Sequence, residues 1–286
     1  MILRVAVIGS GVMGSGIAAQ IANQDLAVLL YDLENDQGLI AEQSIQKQLN
    51  SVPSGFTHPH KAYSVKALSL SNDLSKIKNC DLVIEAIVEK LDAKKDLYNK
   101  LSKYLRPDAL IASNTSTFRL SDLKSGLSKS LQDRLTICHF FNPPRFMRLL
   151  EFVPGSISDE KKYDIITFLK YIMGKDVIIC NDTPGFIANR LGCYLMWLVY
   201  FKAREENFGI EEIDYAFTKY FGFPSTGIFG LFDLIGLDVM NYIAASLTAN
   251  LDADDDFCKI YKNDELYQSH LSKGYTCIKA KGGFYK

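Results

Sequence analysis

The chain has no C-x-x-C pair, and its six cysteines (Cys80, Cys138, Cys180, Cys193, Cys258 and Cys277) are scattered through apolar stretches. That scattering excludes a zinc ribbon or a dithiol redox site and points to reduced core thiols of a cytoplasmic protein. An excess of one charge is also lacking: 32 basic and 33 acidic side chains leave a net charge of −1. A dedicated nucleic-acid binder would carry a basic surplus, so no nucleic-acid partner is expected. Long apolar runs are missing too. The longest, residues 191–201, covers 11 positions, where a membrane span needs about 20. Met1-Ile2-Leu3-Arg4 leads straight into a strand-like run without the basic start, apolar stretch and cleavage site of a secretory signal. Histidine is scarce, with four in all, and His58, His60 and His270 sit in polar loop contexts without metal-ligand spacing. No metal site is expected, and the acidic stretch 251–256 lacks the glycine and closing glutamate of a calcium loop.

What the chain does have is apolar material, 48% of 286 residues, enough for one large domain or two modest ones. Val5-Ala6-Val7-Ile8 is a β-branched run bounded by glycine, the pattern of a buried parallel strand. Residues 15–23 read as a helix with small residues facing a sheet, and Ala27-Val28-Leu29-Leu30-Tyr31 as a second strand ending at Asp32. Together they make one βαβ unit, right-handed like nearly all such crossovers. An amphipathic helix is expected over 36–50 and a loop over 51–60, which contains Pro53, Gly55 and Pro59. Strands at 82–86, 110–113, 135–139, 149–153 and 177–180 alternate with helices at 91–105 and 159–174. This alternation predicts an α/β fold, a Rossmann-type, mostly parallel sheet with helices on both faces. After Asn181-Asp182-Thr183-Pro184-Gly185 the texture becomes helical, over 186–204, 210–220 and 231–247. The first of these helices is apolar nearly all round, as if buried in a core or between subunits. We therefore place one domain at 1–181 and a smaller all-helical domain at 182–286.

Gly9-Ser10-Gly11-Val12-Met13-Gly14 matches G-x-G-x-x-G, follows a strand, opens a helix, and has Asp32 18 residues past Gly14. That context separates a dinucleotide fingerprint from a plain glycine turn. Gly9 permits the tight turn, Gly11 lets the amides of Val12 and Met13 approach a pyrophosphate, and Gly14 allows close helix–strand packing. The helix N-terminus adds donors and partial positive charge. A carboxylate at Asp32 accepts from ribose hydroxyls and repels a 2′-phosphate, so the expected cofactor is NAD rather than NADP.

His139 ends an apolar strand, and strand ends at the carboxyl edge of such a sheet are where ligands bind. Twelve residues on, Glu151 interrupts Leu149-Leu150-Glu151-Phe152-Val153, where a carboxylate is costly unless paired. Pro143 and Pro144 can turn the chain so that the two strands lie side by side and the two side chains meet. A histidine held by a carboxylate suits alcohol oxidation: it takes the hydroxyl proton while the carboxylate fixes its tautomer. The same spacing also suits a structural ion pair bracing two strands.

Taken together, the sequence resembles the 3-hydroxyacyl-CoA dehydrogenases over essentially its whole length. The matching segments are Gly9 to Gly16 with Asp32, Ile84-Glu85-Ala86-Ile87-Val88-Glu89, Ser113-Asn114-Thr115-Ser116, and His139-Phe140-Phe141-Asn142-Pro143. Further along, Asp182-Thr183-Pro184-Gly185-Phe186-Ile187-Ala188-Asn189-Arg190, Ile235-Gly236-Leu237-Asp238 and Gly283-Phe284-Tyr285 match as well. The resemblance implies NAD-dependent oxidation of (S)-3-hydroxyacyl-CoA to 3-oxoacyl-CoA, with His139 and Glu151 as the catalytic pair. It implies Ser116, Asn142 and Asn189 as substrate contacts, and Glu89 and Lys94 as contacts on the nicotinamide side of the cofactor. It further implies a helical excursion over about 36–70 that holds coenzyme A, with Lys61 and Lys66 as possible phosphate contacts. The helical second domain would close the acyl pocket and form a homodimer. Three departures stand out: Gly227-Ile228-Phe229 replaces the usual Gly-Pro-Phe, the glycine-rich approach to the tail is reduced to Lys279-Ala280-Lys281-Gly282, and Asn142-Pro143-Pro144-Arg145 is similar to bacterial multifunctional fatty-acid β-oxidation proteins. A dehydrogenase of small free hydroxy acids or sugar acids, and a non-catalytic cofactor-binding protein, are the competing readings; a purely structural role would not need His139, Glu151, Ser116 and Asn189 together.

Overall fold

The computed structural model describes every residue except Asn263, Ile278, Lys279, Lys281 and Lys286, so part of the tail departure lies outside the described residues. The run Val5–Ile8 forms β1, followed by α1 (Val12–Asn23) and β2 (Val28–Asp32), which pairs with β1 in parallel. Small side chains on α1, among them Ala18, Ala19 and Ala22, let it lie close against the sheet. The next segment differs from expectation. Residues 34–39 form a two-strand antiparallel pair, β3 (Glu34–Asn35) and β4 (Gly38–Leu39), turned at Gly38 with φ +102°. Helix α2 (Ile40–Asn50) therefore starts later than expected, and a 3-10 turn (Pro59–Ser64) follows. The expected helical excursion over 36–70 then ends in a strand, β5 (Val65–Ser69), parallel to β2. Val65 and Leu68 are buried while Lys66 faces out, which suits a short edge strand that must avoid pairing with other chains. Lys61 is engaged by Asp25.

The remaining elements of this unit are a 3-10 turn (Leu74–Asn79), β6 (Leu82–Glu85), α3 (Leu91–Leu101), β7 (Leu110–Ser113), α4 (Leu120–Lys124), α5 (Lys129–Gln132), β8 (Leu135–Phe140), β9 (Leu149–Val153), α6 (Asp159–Thr167), extended by a π-helical turn over Phe168–Ile172, and β10 (Asp176–Ile179). The sheet order is β10-β9-β8-β7-β6-β1-β2-β5, and every neighbouring pair is parallel except β8 with β9. The fold is thus the mostly parallel, helix-covered sheet that the strand–helix alternation predicts. Strand order reverses between β1 and β6, the crevice where ligands bind in sheets of this kind.

The chain divides into two compact units, Met1–Thr183 and Pro184–Lys286. Asp182 belongs with the first, its carboxylate accepting the backbone N–H groups of Leu120 and Ser121. The second unit contains α7 (Ala188–Glu205), α8 (Ile210–Tyr220), α9 (Phe229–Ile235), α10 (Leu237–Asn250), α11 (Asp256–Ile260) and α12 (Glu265–Ser272). The single helix expected over 231–247 is two helices, bent by 92° at Gly236, whose φ of +107° ends the first. Helix α7 is not buried all round: Cys193, Met196, Trp197, Tyr200 and Ala203 form its buried stripe, while Leu191 is 65% exposed. Trp197 centres an aromatic core, with ring centroids of Tyr267, Tyr261 and Phe232 at 4.8, 4.9 and 5.4 Å. Four cysteines are buried, whereas Cys258 and Cys277 are only half-buried, a correction to the expectation of six core thiols.

Two buried aspartates explain motifs in this unit. Asp233 accepts the N–H groups of Phe284 and Tyr285, and a Cβ at Gly283 would lie 2.0 Å from its Oδ1, so the tail docks only with glycine there. Asp214 accepts the N–H groups of Ile228, Phe229 and Gly230 and the Tyr285 hydroxyl. Ile228 donates at 2.7 Å, a bond that the proline of Gly-Pro-Phe has no N–H to make. No single helix among the described residues is long and apolar enough to cross a membrane.

Candidate active site

The glycine turn is built as the fingerprint requires. A Cβ on Gly14 would stand 1.8 Å from the Gly9 carbonyl oxygen, and one on Gly9, at φ +93°, 2.5 Å from that of Ala86. The fold itself therefore demands both glycines. Gly11 is different: a Cβ there would meet no protein atom within 4 Å, at φ −59°. Its smallness clears space in front of the α1 N-terminus, where Val12 is exposed and Met13 half-buried, and where backbone amides favour an anion. The turn thus fits the pyrophosphate of a dinucleotide.

Asp32 ends β2 at the same edge. Its Oδ2 accepts the Ser10 N–H and hydroxyl, both at 2.6 Å, and its Oδ1 the Leu33 N–H at 2.7 Å. The half-buried carboxylate is oriented by the glycine turn and still has acceptor sites for ribose hydroxyls. Beside it, a cavity of about 520 Å³ is lined by apolar side chains, among them Leu33, Leu70 and Leu97, together with the charged Asp96, Lys100 and Lys103. Leu33, Leu70 and Leu97 each lie just past a strand end or on a helix and carry no signature of their own in the sequence.

His139 and Glu151 stand directly opposite in the antiparallel β8–β9 pair. His139 Nδ1 is 2.8 Å from Glu151 Oε2, and the two residues are only 7% and 1% exposed. The pairing satisfies the carboxylate that interrupts the apolar strand and fixes which imidazole nitrogen faces it. The Phe141 ring lies 4.5 Å from the imidazole, centroid to centroid. Asn114, past β7, accepts the Phe140 N–H at 2.9 Å and so ties the turn carrying half-buried Ser116 to the end of β8. Asn142 is exposed in the turn after β8. Asn189 stands in the first turn of α7, in the second unit.

That turn after β8 is held from below by Lys175, which no motif reveals, and by Arg145 and Gly16, from segments that carry the resemblance. Lys175 is buried, and its ammonium donates to the carbonyls of Pro144 and, at 2.8 Å, Met147. Burial pushes this ammonium down to about 8. Arg145 Nη1 reaches the carbonyls of Ser54 and Phe56 at 2.6 and 3.0 Å. Gly16 lets Pro144 pack on α1: a Cβ there would be 2.9 Å from the proline Cδ. The glycine turn and the histidine strand are thereby packed against each other.

Between them, at the ends of β6 and β7, lies Glu89. Burial pushes its carboxyl up, but Lys94 and the hydroxyls of Thr115 and Thr117 outweigh that and hold it below the ordinary carboxylate value. Lys94 is itself buried, between Glu89 and Glu85.

Known proteins are similar to this chain along its whole length. The family model described as 3-hydroxyacyl-CoA dehydrogenase, NAD binding domain, matches residues 4–183, and the C-terminal domain model of the same family matches 185–286. A relative from Rickettsia prowazekii, named for a fatty acid oxidation complex trifunctional enzyme, is 46% identical over 100% of this chain. The chain spans only 40% of that relative's length. A Deinococcus radiodurans protein named as a 3-hydroxyacyl-CoA dehydrogenase is 36% identical, over 100% of this chain and 83% of its own. Among solved structures, the (S)-3-hydroxybutyryl-CoA dehydrogenase of Ralstonia eutropha is 27% identical with a TM-score of 0.83, covering 100% of this chain and 99% of that one.

Proposed function

The chain belongs to the 3-hydroxyacyl-CoA dehydrogenase family, and from that premise we propose that it catalyses the reversible, NAD-dependent oxidation of an (S)-3-hydroxyacyl-CoA to the 3-oxoacyl-CoA. The observation that carries this reading is the 2.8 Å contact between His139 and Glu151, beside a glycine turn shaped for a dinucleotide. In oxidation, His139 accepts the proton of the substrate hydroxyl, and Glu151 keeps the imidazole oriented and stabilises the imidazolium that forms. NAD, when bound, supplies the hydride acceptor. Gly9, Gly11, Val12, Met13 and Gly14 would hold its pyrophosphate, Asp32 its adenosine ribose, and Glu89 with Lys94 its nicotinamide side. Ser116, Asn142 and Asn189 are the residues we assign to the substrate. In the reverse direction protonated His139 returns its proton to the 3-oxygen. The homodimer and a cytoplasmic location belong to the same proposal.

The test is a turnover assay following NADH with acetoacetyl-CoA, longer 3-oxoacyl-CoA esters and free acetoacetate. Turnover of the thioesters with little or none of the free acid is expected. Equal turnover of the free acid would transfer the chain to dehydrogenases of small hydroxy acids. No turnover of any of them, despite NAD binding, would favour a non-catalytic role.

A further inference from the structure

Glu85 ends β6 with no exposed surface, a costly position for a carboxylate unless it is fully satisfied. Four donors converge on it. Lys94 Nζ and the Ile87 N–H reach Oε1 at 2.6 and 2.9 Å, and the Tyr98 hydroxyl and Ser113 Oγ reach Oε2 at 2.6 and 2.7 Å. Lys94, 1% exposed, also contacts Glu89 Oε2 at 3.0 Å. Glu89 is the member of this cluster that reaches the surface, with its side chain 30% exposed. Thr115 and Thr117 donate to its other oxygen. The cluster sits at the carboxyl edge of β6 and β7, between the glycine turn after β1 and His139 on β8. A nicotinamide that serves a substrate held at His139, in a dinucleotide bound at the switch point, belongs over this edge.

Two carboxylates around one ammonium leave the cluster net negative. The nicotinamide ring is positively charged in NAD+ and neutral in NADH, so a net negative edge favours the oxidised form. We propose that Glu85 is a positioning residue that sets this preference: by engaging Lys94 from the buried side, it leaves Glu89 only partly neutralised toward the cofactor. This rests on the NAD-dependent reading above, and it assigns Glu85 a role that none of the sequence motifs suggested.

The experiment measures dissociation constants of NAD+ and NADH for the wild-type chain and for Glu85→Gln. A glutamine keeps the shape: its carbonyl can accept from Lys94 and Ile87, while its amide faces the Tyr98 and Ser113 hydroxyl oxygens, which can accept. Lys94 is then left to neutralise Glu89 alone. The ratio Kd(NAD+)/Kd(NADH) is expected to rise roughly tenfold, the scale of one charge at a partly buried site. General loosening of the fold would weaken both forms alike and leave the ratio unmoved, and that result overturns the role of Glu85. Should Glu85→Gln not fold, Tyr98→Phe decides, since it strips one donor from the Glu85 carboxylate while keeping the ring. With that donor gone Glu85 holds Lys94 more tightly and Glu89 is neutralised less, so the ratio is expected to fall, opposite to Glu85→Gln, by about threefold, the scale of one hydrogen bond; an unchanged or raised ratio there also overturns the proposal. A wild-type chain that binds neither form would instead overturn the dehydrogenase reading itself, and this inference with it.

Discussion

Glu151 is tolerated in an apolar strand because His139 lies directly across the β8–β9 ladder, and in the proposed function that pairing orients the imidazole as the base. At this scale the decisive variant is Glu151→Gln, which keeps the shape and removes the charge that stabilises the imidazolium. Reduction needs His139 protonated and oxidation needs it neutral. The pH profile of acetoacetyl-CoA reduction in Glu151→Gln is therefore expected to move to lower pH, measured against the wild-type profile over the same range. Identical profiles would mean that the pair only braces two strands. Residue-scale reading of the sequence singles out His139, Glu151, Asp32 and the glycines, because each carries a local signal: a strand end, an interrupted apolar run, a fixed spacing. It does not reach the role proposed for Glu85, whose partners Lys94, Tyr98 and Ser113 lie 9, 13 and 28 positions away on other elements. No periodicity within one element connects them.

Among elements, the turn that opens α1 separates what the fold needs from what a ligand needs. Gly14→Ala forces a Cβ to within 1.8 Å of the Gly9 carbonyl, whereas Gly11→Ala meets no protein atom. In thermal melts Gly14→Ala is expected to lose several kcal/mol of stability or fail to fold, as overpacking at backbone does. Gly11→Ala is expected to melt with the wild type yet bind NAD at least tenfold more weakly, a gap of about 1.4 kcal/mol. The turn between β8 and β9 gives a second element-scale prediction. Burial lowers Lys175 from 10.5 to about 8, so between those values the unfolded chain holds a proton that the folded chain has released. Stability rises with pH wherever the unfolded state binds more protons, so Lys175 contributes a rise from about pH 8 upward. Urea midpoints across that range should show the rise in wild type and lack it in Lys175→Met. The elements themselves were mostly legible, since buried parallel strands announce themselves as β-branched runs. The exceptions are instructive. β5 was hidden because Lys66 and Ser69 break up a five-residue edge strand, and the break at Gly236 was hidden because apolar residues run on through it.

For the whole molecule, the change of texture after residue 181 marked a helical part whose unit begins at Pro184. The tail was legible only as a motif; its reason, Gly283 seated against Asp233, needed coordinates, because 50 residues of chain separate the two. The proposed homodimer would cover exposed apolar side chains of the helical unit such as Leu191, Leu234, Val239 and Tyr242. Sedimentation at micromolar concentration should give twice the 32.1 kDa chain mass, and a monomer would remove the homodimer from the account. The proposed NAD-dependent 3-hydroxyacyl-CoA dehydrogenase works through His139, and NADH oxidation with acetoacetyl-CoA by wild type and by folded His139→Ala, side by side, tests this. Wild-type turnover is expected to fall roughly 10²–10⁴-fold in the variant, the usual worth of a positioned acid–base group, with NADH affinity nearly unchanged. Normal turnover by folded His139→Ala would rule out His139 as the acid–base group.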